Sequence, residues 1–169
     1  MRQSLPIDSV RWTRPEHSHL TLRFLGDVRV DRIDDLAERL RITCCNFAPL
    51  NVRVERIGFF PLRGFPRVIW TAVSDKEQHL ARLQTAIQSE TLPFTSEPAD
   101  KQFTSHITLG RAKKLTRRGA DALAGFAENM RGRVFGEWQV RSVDLFRSEL
   151  SADGPHHTVI HTIPLNNTR

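Results

Sequence analysis

Apolar residues recur at helical spacing in three places. Ile33, Leu36, Ala37 and Leu40 fall at i, i+3, i+4 and i+7, which predicts an amphipathic helix from residue 31 to about 43. Leu80, Leu83, Ala86 and Ile87 form a second stripe, and Ser74 followed by Glu77 reads as a capping box that opens it. Ala120, Leu123, Ala124 and Ala127 form a third, capped by Thr116 and weakened by Gly119 and Gly125. Elsewhere the period is two. Leu50, Val52 and Val54 alternate with polar residues, and Val68 to Val73 is a short apolar run containing Trp70. Val134, Gly136, Trp138 and Val140 share one parity while Val143 and Leu145 share the other, so a bulge or bend is expected near Ser142. Asp153-Gly154 is a hairpin signal joining a strand that ends near Phe146 to a last strand at about 157–163. Residues 19–24 and 106–109 alternate as well and read as strands. The longest irregular stretches are 59–67 and 91–101. Helices among mainly hairpin-connected strands predict an α+β domain.

Composition narrows this only slightly. The 169 residues suffice for one domain with a real core. No run approaches the roughly 20 apolar residues that span a bilayer, and the start lacks the long apolar core of a secretory signal, so the expectation is a cytoplasmic protein, monomeric by default. Lysine plus arginine number 25 against 19 acids, a net charge of +6. Only Lys76, Lys101, Lys113 and Lys114 are lysine; the rest are arginine, whose planar fork suits phosphate. The adjacent Cys44 and Cys45 read as two small buried side chains near a helix end.

One pattern carries chemistry. His19-Leu20-Thr21-Leu22 and His106-Ile107-Thr108-Leu109 are two copies of His-x-Thr-x, about half the chain apart. On a strand, residues i and i+2 share a face. Each motif therefore presents one imidazole and one hydroxyl, with leucine or isoleucine turned to the core. Such spacing is what a duplication would give, with two half-sites facing across a cleft. In-line cleavage of a phosphodiester needs a proton removed from the nucleophile and another given to the leaving oxygen on the opposite side. Paired histidines can do both near neutral pH, and threonine hydroxyls can donate to the non-bridging oxygens. No metal or other cofactor is required by this scheme. From the spacing alone, the two histidines are interchangeable.

The same residues resemble a known family. The chain looks like a two-histidine phosphoesterase, and within that superfamily like the bacterial and archaeal RNA 2′,3′-cyclic phosphodiesterases, also called 2′-5′ RNA ligases. Anchors are Trp12 to Glu16 leading into His19 to Gly26, Phe59-Phe60-Pro61 with Pro66 to Trp70, His106 to Arg111, Val143 to Leu150, and Asp153-Gly154-Pro155. The resemblance implies a single two-lobed domain over residues 1–169, with pseudo-symmetric lobes of mainly antiparallel sheet, helices outside and a central cleft. It implies hydrolysis of a terminal 2′,3′-cyclic phosphate to a 2′-phosphomonoester, with His19 as proton donor and His106 as proton acceptor. Thr21, Thr108 and Arg111 would bind the phosphate. Strict alternation points Arg111 away from His106, so a turn at Gly110 is expected to bring it round. Two departures stand out. The family usually carries an apolar strand and a helix ahead of the Trp12 region, and it has proline where this chain has Ser105, a change expected to affect the start of the strand.

Other features have plainer readings. His157 and His161 share a strand face by parity but sit about 13 Å apart, too far for one ion, so with His156 they read as a solvated or cleft-edge strand. His17 shares parity with His19 and is a candidate for the cleft rim. Arg111, Lys113, Lys114, Arg117 and Arg118 form a basic run that is either a solvated face or an RNA-backbone contact. Of Phe59, Phe60, Phe65 and Trp70, at most one is expected to stack a base. The competing functional readings are an RNA-binding protein of the same fold without turnover, RNA end-joining, and hydrolysis of a small cyclic nucleotide.

Overall fold

The computed structural model describes residues 9–100, 102–151 and 154–166. Seven strands and three α-helices run in the order β1 (Val10–Trp12), α1 (Ile33–Cys44), β2 (Leu50–Phe60), β3 (Val68–Ser74), α2 (His79–Thr91), β4 (His106–Ala112), α3 (Arg117–Asn129), β5 (Val134–Val140), β6 (Ser142–Ser151) and β7 (Gly154–Pro164). Single 3-10 turns sit at Pro15–His17, Val30–Arg32 and Leu92–Phe94. The fold is α+β with antiparallel pairing, as the pattern predicts.

The chain forms two compact units. The first takes the described residues up to Thr21, then Val52–Asp75 and Thr104–Trp138. Its sheet has the order β1-β4-β3-β2-β5. Val10, Ile69 and Leu123 form its buried core, joined by Trp12, Ile57, Phe59, Leu109, Leu115 and Phe126. Helix α3 thus packs through Leu123 and Phe126, whereas Ala124 of the predicted stripe is exposed. A phenylalanine a little further round the helix buries far more area than an alanine. Thr116 caps α3 as expected, accepting from the Gly119 amide at 3.2 Å.

The second unit comprises Leu22–Asn51, Lys76–Phe103 and the chain from Gln139 onward. Here β6 and β7 form a two-stranded ladder, and α1 packs on both α2 and β7. Leu36, Leu40, Leu83, Ile87, Leu145 and Ile163 are buried. The parity change near Ser142 marks the passage from one sheet to the other, with Arg141 outside both strands. β6 and β7 are longer than their patterns suggested. Ser151 pairs with Gly154, and Asp153 of the expected turn lies outside the described residues.

Three expectations are corrected. Ser74 does not cap a helix: it ends β3, its hydroxyl donates to Glu55 Oε1 at 2.9 Å, and α2 begins at His79. A hydroxyl engaged across the sheet cannot also serve a helix amide. Residues 19–24 are not a continuous strand. Leu20 makes one bridge to Ile107, after which its partner β4 has ended at His106 and the chain enters the second unit. Finally, Cys44 is buried but Cys45 is exposed, because successive helix-end positions face different ways.

Burial, and secondarily Cys45, push the Cys44 thiol up from 9.0 to about 11. A raised value means that the fold favours the neutral thiol. The associated stability is complete below pH 9.0 and is lost as pH rises through about 11. At about pH 8, iodoacetamide is therefore expected to label Cys45 and spare Cys44 in the native protein, and to label both after unfolding, as read by peptide mass mapping. Labelling of both at equal rates in the native state would contradict the burial.

Candidate active site

The second motif lies on β4, between β1 and β3. Across the ladder, Ala72 pairs with His106, Trp70 with Thr108, Ile69 with Gly110 and Val68 with Arg111. Leu109 has no partner in this register: it is the extra residue of a bulge between Ile69 and Trp70. Val68, Trp70 and Ala72 share one face of β3. His106, Thr108 and Arg111 therefore share that face too. The sequence expectation is right about Arg111's side and wrong about the cause. The parity change belongs to Leu109, which packs into the core. Gly110 answers a different need, since a Cβ there would lie 3.0 Å from the Arg11 carbonyl oxygen and 3.2 Å from the Trp12 ring.

The first motif is laid against the second. β1 pairs with β4 from Val10–Ala112 to Trp12–Gly110, and the Pro15–His17 turn then interrupts it. The chain returns at the Leu20–Ile107 bridge. In an antiparallel pair the flanking residues stand opposite one another, so His19 faces Thr108 and Thr21 faces His106, with Cβ atoms roughly 5 Å apart. All four side chains occupy one patch, the histidines on one diagonal and the threonines on the other. Leu20 and Ile107 turn to the opposite face. His19, Leu20 and Thr21 fall in the first unit with the second motif, and Leu22 begins the second unit. His19 is exposed; Thr21, His106 and Thr108 are half-buried.

Both imidazoles are held the same way. His19 Nδ1 lies 2.9 Å from the His17 carbonyl oxygen, and His106 Nδ1 lies 2.7 Å from the Thr104 carbonyl oxygen. A carbonyl only accepts, so Nδ1 carries hydrogen in both rings, and Nε2 is the basic nitrogen of each neutral ring. The tether is in each case the residue two positions earlier. His17 thus contributes to the site through its backbone carbonyl.

Surroundings distinguish the two rings. The His106 ring meets Phe60 edge-on, at 5.3 Å and 82°, and Trp70 at 5.9 Å and 61°. Phe60 and Trp70 also touch, at 5.1 Å. Trp70 lies over Gly58, its partner on β2, where a Cβ would come within 2.2 Å of the indole. Ser105 fixes the start of β4, with its hydroxyl donating to the Val73 carbonyl at 2.5 Å and its own carbonyl accepting from Val73 N–H at 3.0 Å. Sequence reading named Phe60 and Trp70 only as possible stacking residues and did not name Gly58, because their relation to His106 depends on register.

The C-terminal histidines lie on β7, in the second unit. His157 pairs with Ser148 and His161 with Leu145, and a bulge between them places the two on opposite faces, not on one as parity suggested. His157 Nδ1 meets Ser148 Oγ at 2.8 Å. Among the described residues, no three His, Cys, Asp or Glu side chains are placed to share a metal ion, and no helix is long and apolar enough to cross a membrane.

The second unit holds a residue that sequence reading missed. The Arg23 side chain is only 3% exposed. Its guanidinium donates to the carbonyls of Pro98 at 2.7 Å and Glu97 at 2.8 Å and lies 3.6 Å from Asp100. It fastens the 95–100 loop to the segment that follows the first motif.

The LigT like Phosphoesterase family matches residues 1–70 and 72–157. The chain belongs to this family. A LigT-like relative in Archaeoglobus fulgidus, named RNA 2′,3′-cyclic phosphodiesterase, is 34% identical over 149 residues, covering 88% of this chain and 80% of that one. Another of the same name in Thermus thermophilus is 35% identical, covering 89% and 73%. A crystal structure of a Thermus thermophilus protein superposes with a TM-score of 0.80 at 28% identity, over 97% of this chain and 86% of that one. E. coli LigT complexed with 3′-AMP has the same fold, with a TM-score of 0.74 at 18% identity over 98% and 87%.

Proposed function

We propose that this LigT-like chain is an RNA 2′,3′-cyclic phosphodiesterase, hydrolysing a terminal cyclic phosphate to a 2′-phosphomonoester. The carrying observation is the pair of imidazoles tethered alike through Nδ1 on one sheet face, each beside a threonine of the other motif. Family membership and the shared name of its relatives support the substrate. Water attacks phosphorus as the bond to the 3′ oxygen breaks. His106 Nε2 takes the water's proton, and His19 Nε2 gives one to the departing 3′ oxygen. Their direction rests on the family resemblance. Thr21, Thr108 and Arg111 hold the non-bridging oxygens, where charge builds in the transition state. Two imidazoles supply both proton transfers, so no metal enters the scheme. In this reading the two units are one phosphoesterase domain, working as a cytoplasmic monomer.

The test is product analysis. An RNA ending in a 2′,3′-cyclic phosphate, incubated with the protein in excess EDTA, is expected to yield only the 2′-phosphomonoester. Absence of product, or formation of the 3′ isomer, refutes the reading.

A further inference from the structure

The repeat is one letter longer than His-x-Thr-x. Ser18-His19-Leu20-Thr21-Leu22 matches Ser105-His106-Ile107-Thr108-Leu109, with a serine ahead of each histidine. The two serines are used differently. In a regular antiparallel pair, two residues exchange both N–H···O bonds. Ser105 stands opposite Val73, next to the Ala72–His106 pair. The Val73 N–H does donate to the Ser105 carbonyl, at 3.0 Å. The return bond to the Val73 carbonyl comes from the Ser105 hydroxyl, at 2.5 Å. Val73 is only 3% exposed, so its carbonyl needs that donor.

This change of donor frees a peptide. The Ser105 N–H and the Thr104 C=O belong to one planar trans unit and point in opposite directions. An amide held in the ladder would aim the Thr104 carbonyl away from β3, in the plane of the sheet. The His106 side chain leaves the sheet roughly at right angles to that plane. With the hydroxyl on Val73 instead, the peptide is turned, and the Thr104 carbonyl lies 2.7 Å from His106 Nδ1. At the first motif the amide itself is engaged. The Ser18 N–H donates to the Pro15 carbonyl at 3.0 Å and closes the 3-10 turn. That turn orients the His17–Ser18 peptide, and the exposed Ser18 hydroxyl lies 3.4 Å from the Arg14 carbonyl.

We infer that Ser105 is a positioning residue for the second histidine: its hydroxyl replaces its own amide on Val73 and so turns the Thr104 carbonyl onto the imidazole. Ser105 acts through Thr104 and takes no part in proton transfer. The tether keeps hydrogen on His106 Nδ1 and leaves Nε2 basic. Its consequence for turnover rests on the functional reading above, in which His106 Nε2 takes the water's proton. Ser18 has no such role, because the turn already sets its peptide.

Nitrogen NMR of the isotope-labelled protein reads the ring directly, with His106→Gln assigning the signals. In its neutral form, wild-type His106 is expected to carry hydrogen on Nδ1. Ser105→Ala is expected to move that hydrogen toward Nε2, the form an untethered imidazole favours, and to leave His19 as it was. On an RNA end with a cyclic phosphate, Ser105→Ala should lower kcat about tenfold, the worth of one hydrogen bond, with KM little changed. Ser105→Thr keeps the hydroxyl donor and should restore the tautomer and most of the rate. Ser18→Ala should change neither. Circular dichroism checks folding; should Ser105→Ala not fold, Ser105→Cys, nearly isosteric with a weaker donor, takes its place. Hydrogen on Nε2 of wild-type neutral His106, an unmoved tautomer in Ser105→Ala, or equal losses from Ser105→Ala and Ser18→Ala would each overturn the assignment. A tautomer shift in a protein that hydrolyses no cyclic phosphate would refute the hydrolase reading and leave the role of Ser105 standing.

Discussion

Replacing His19 by alanine is expected to lower turnover of a 2′,3′-cyclic phosphate RNA end by roughly 10²–10⁴-fold, with the fold and its stability kept. His19 is exposed and has no part in the core, so the loss reads out chemistry. His106 carries ring contacts to Phe60 and Trp70, and His106→Gln, which keeps some of that bulk, is the cleaner replacement there. A loss of similar size is expected. The double variant should be little worse than either single one, because two groups that act in one concerted step fail as a unit. Losses that multiply would mean that the rings act in separate steps. Undiminished turnover in either single variant would remove that histidine from the mechanism.

Gly58→Ala should damage the site although residue 58 bears no side chain and touches no reacting atom. The new Cβ would sit 2.2 Å from the Trp70 indole, so the ring must move. The buried Trp70 Nε1 has no hydrogen-bond partner among the described residues, so packing, including that against Gly58, Phe60 and His106, holds the ring in place. Its displacement is passed to His106. A shift of about 1 Å in a catalytic group costs on the order of 10²-fold in rate, and overpacking costs about 1–3 kcal/mol of stability. Gly136→Ala is the control: it is also a strand glycine, but nothing lies within 4 Å of its added Cβ. Adding Trp70→Phe to Gly58→Ala shrinks the ring and should restore part of the rate. Equal effects of Gly58→Ala and Gly136→Ala would mean that His106 does not depend on Trp70.

The motifs were legible in the sequence because their chemistry is local. His-x-Thr on an alternating segment needs only a period of two to place an imidazole beside a hydroxyl, and His19, Thr21, His106 and Thr108 do share one face. Helix α1 was legible for the same reason, with Leu36, Ala37 and Leu40 all buried. What escaped was set by pairing across the chain. Ser74 satisfied a local capping rule, but Glu55 on the neighbouring strand took its hydroxyl. Gly58 looked like any glycine until β3 was laid beside it with Trp70 in register. Arg23 stood out only as a polar position in an alternating segment, whereas two carbonyls some 75 residues away hold its guanidinium. The carbonyls of His17 and Thr104 orient both imidazoles, and no residue identity encodes a carbonyl.

The bulge at Leu109 turns spacing into meaning. Thr108 and Arg111 are three letters apart, an odd number that flat pleating would send to opposite sides. Deleting one residue between them and flattening the ladder would keep His-x-Thr and the arginine in the text, and would still place the guanidinium within the motif's reach. Deleting one residue while the bulge persisted, or inserting one, would aim it at α3 and the apolar core. Length and bulge thus have to change together. In this chain, the interval from Thr108 to Arg111 decides which face the guanidinium takes as much as the letters at its ends do.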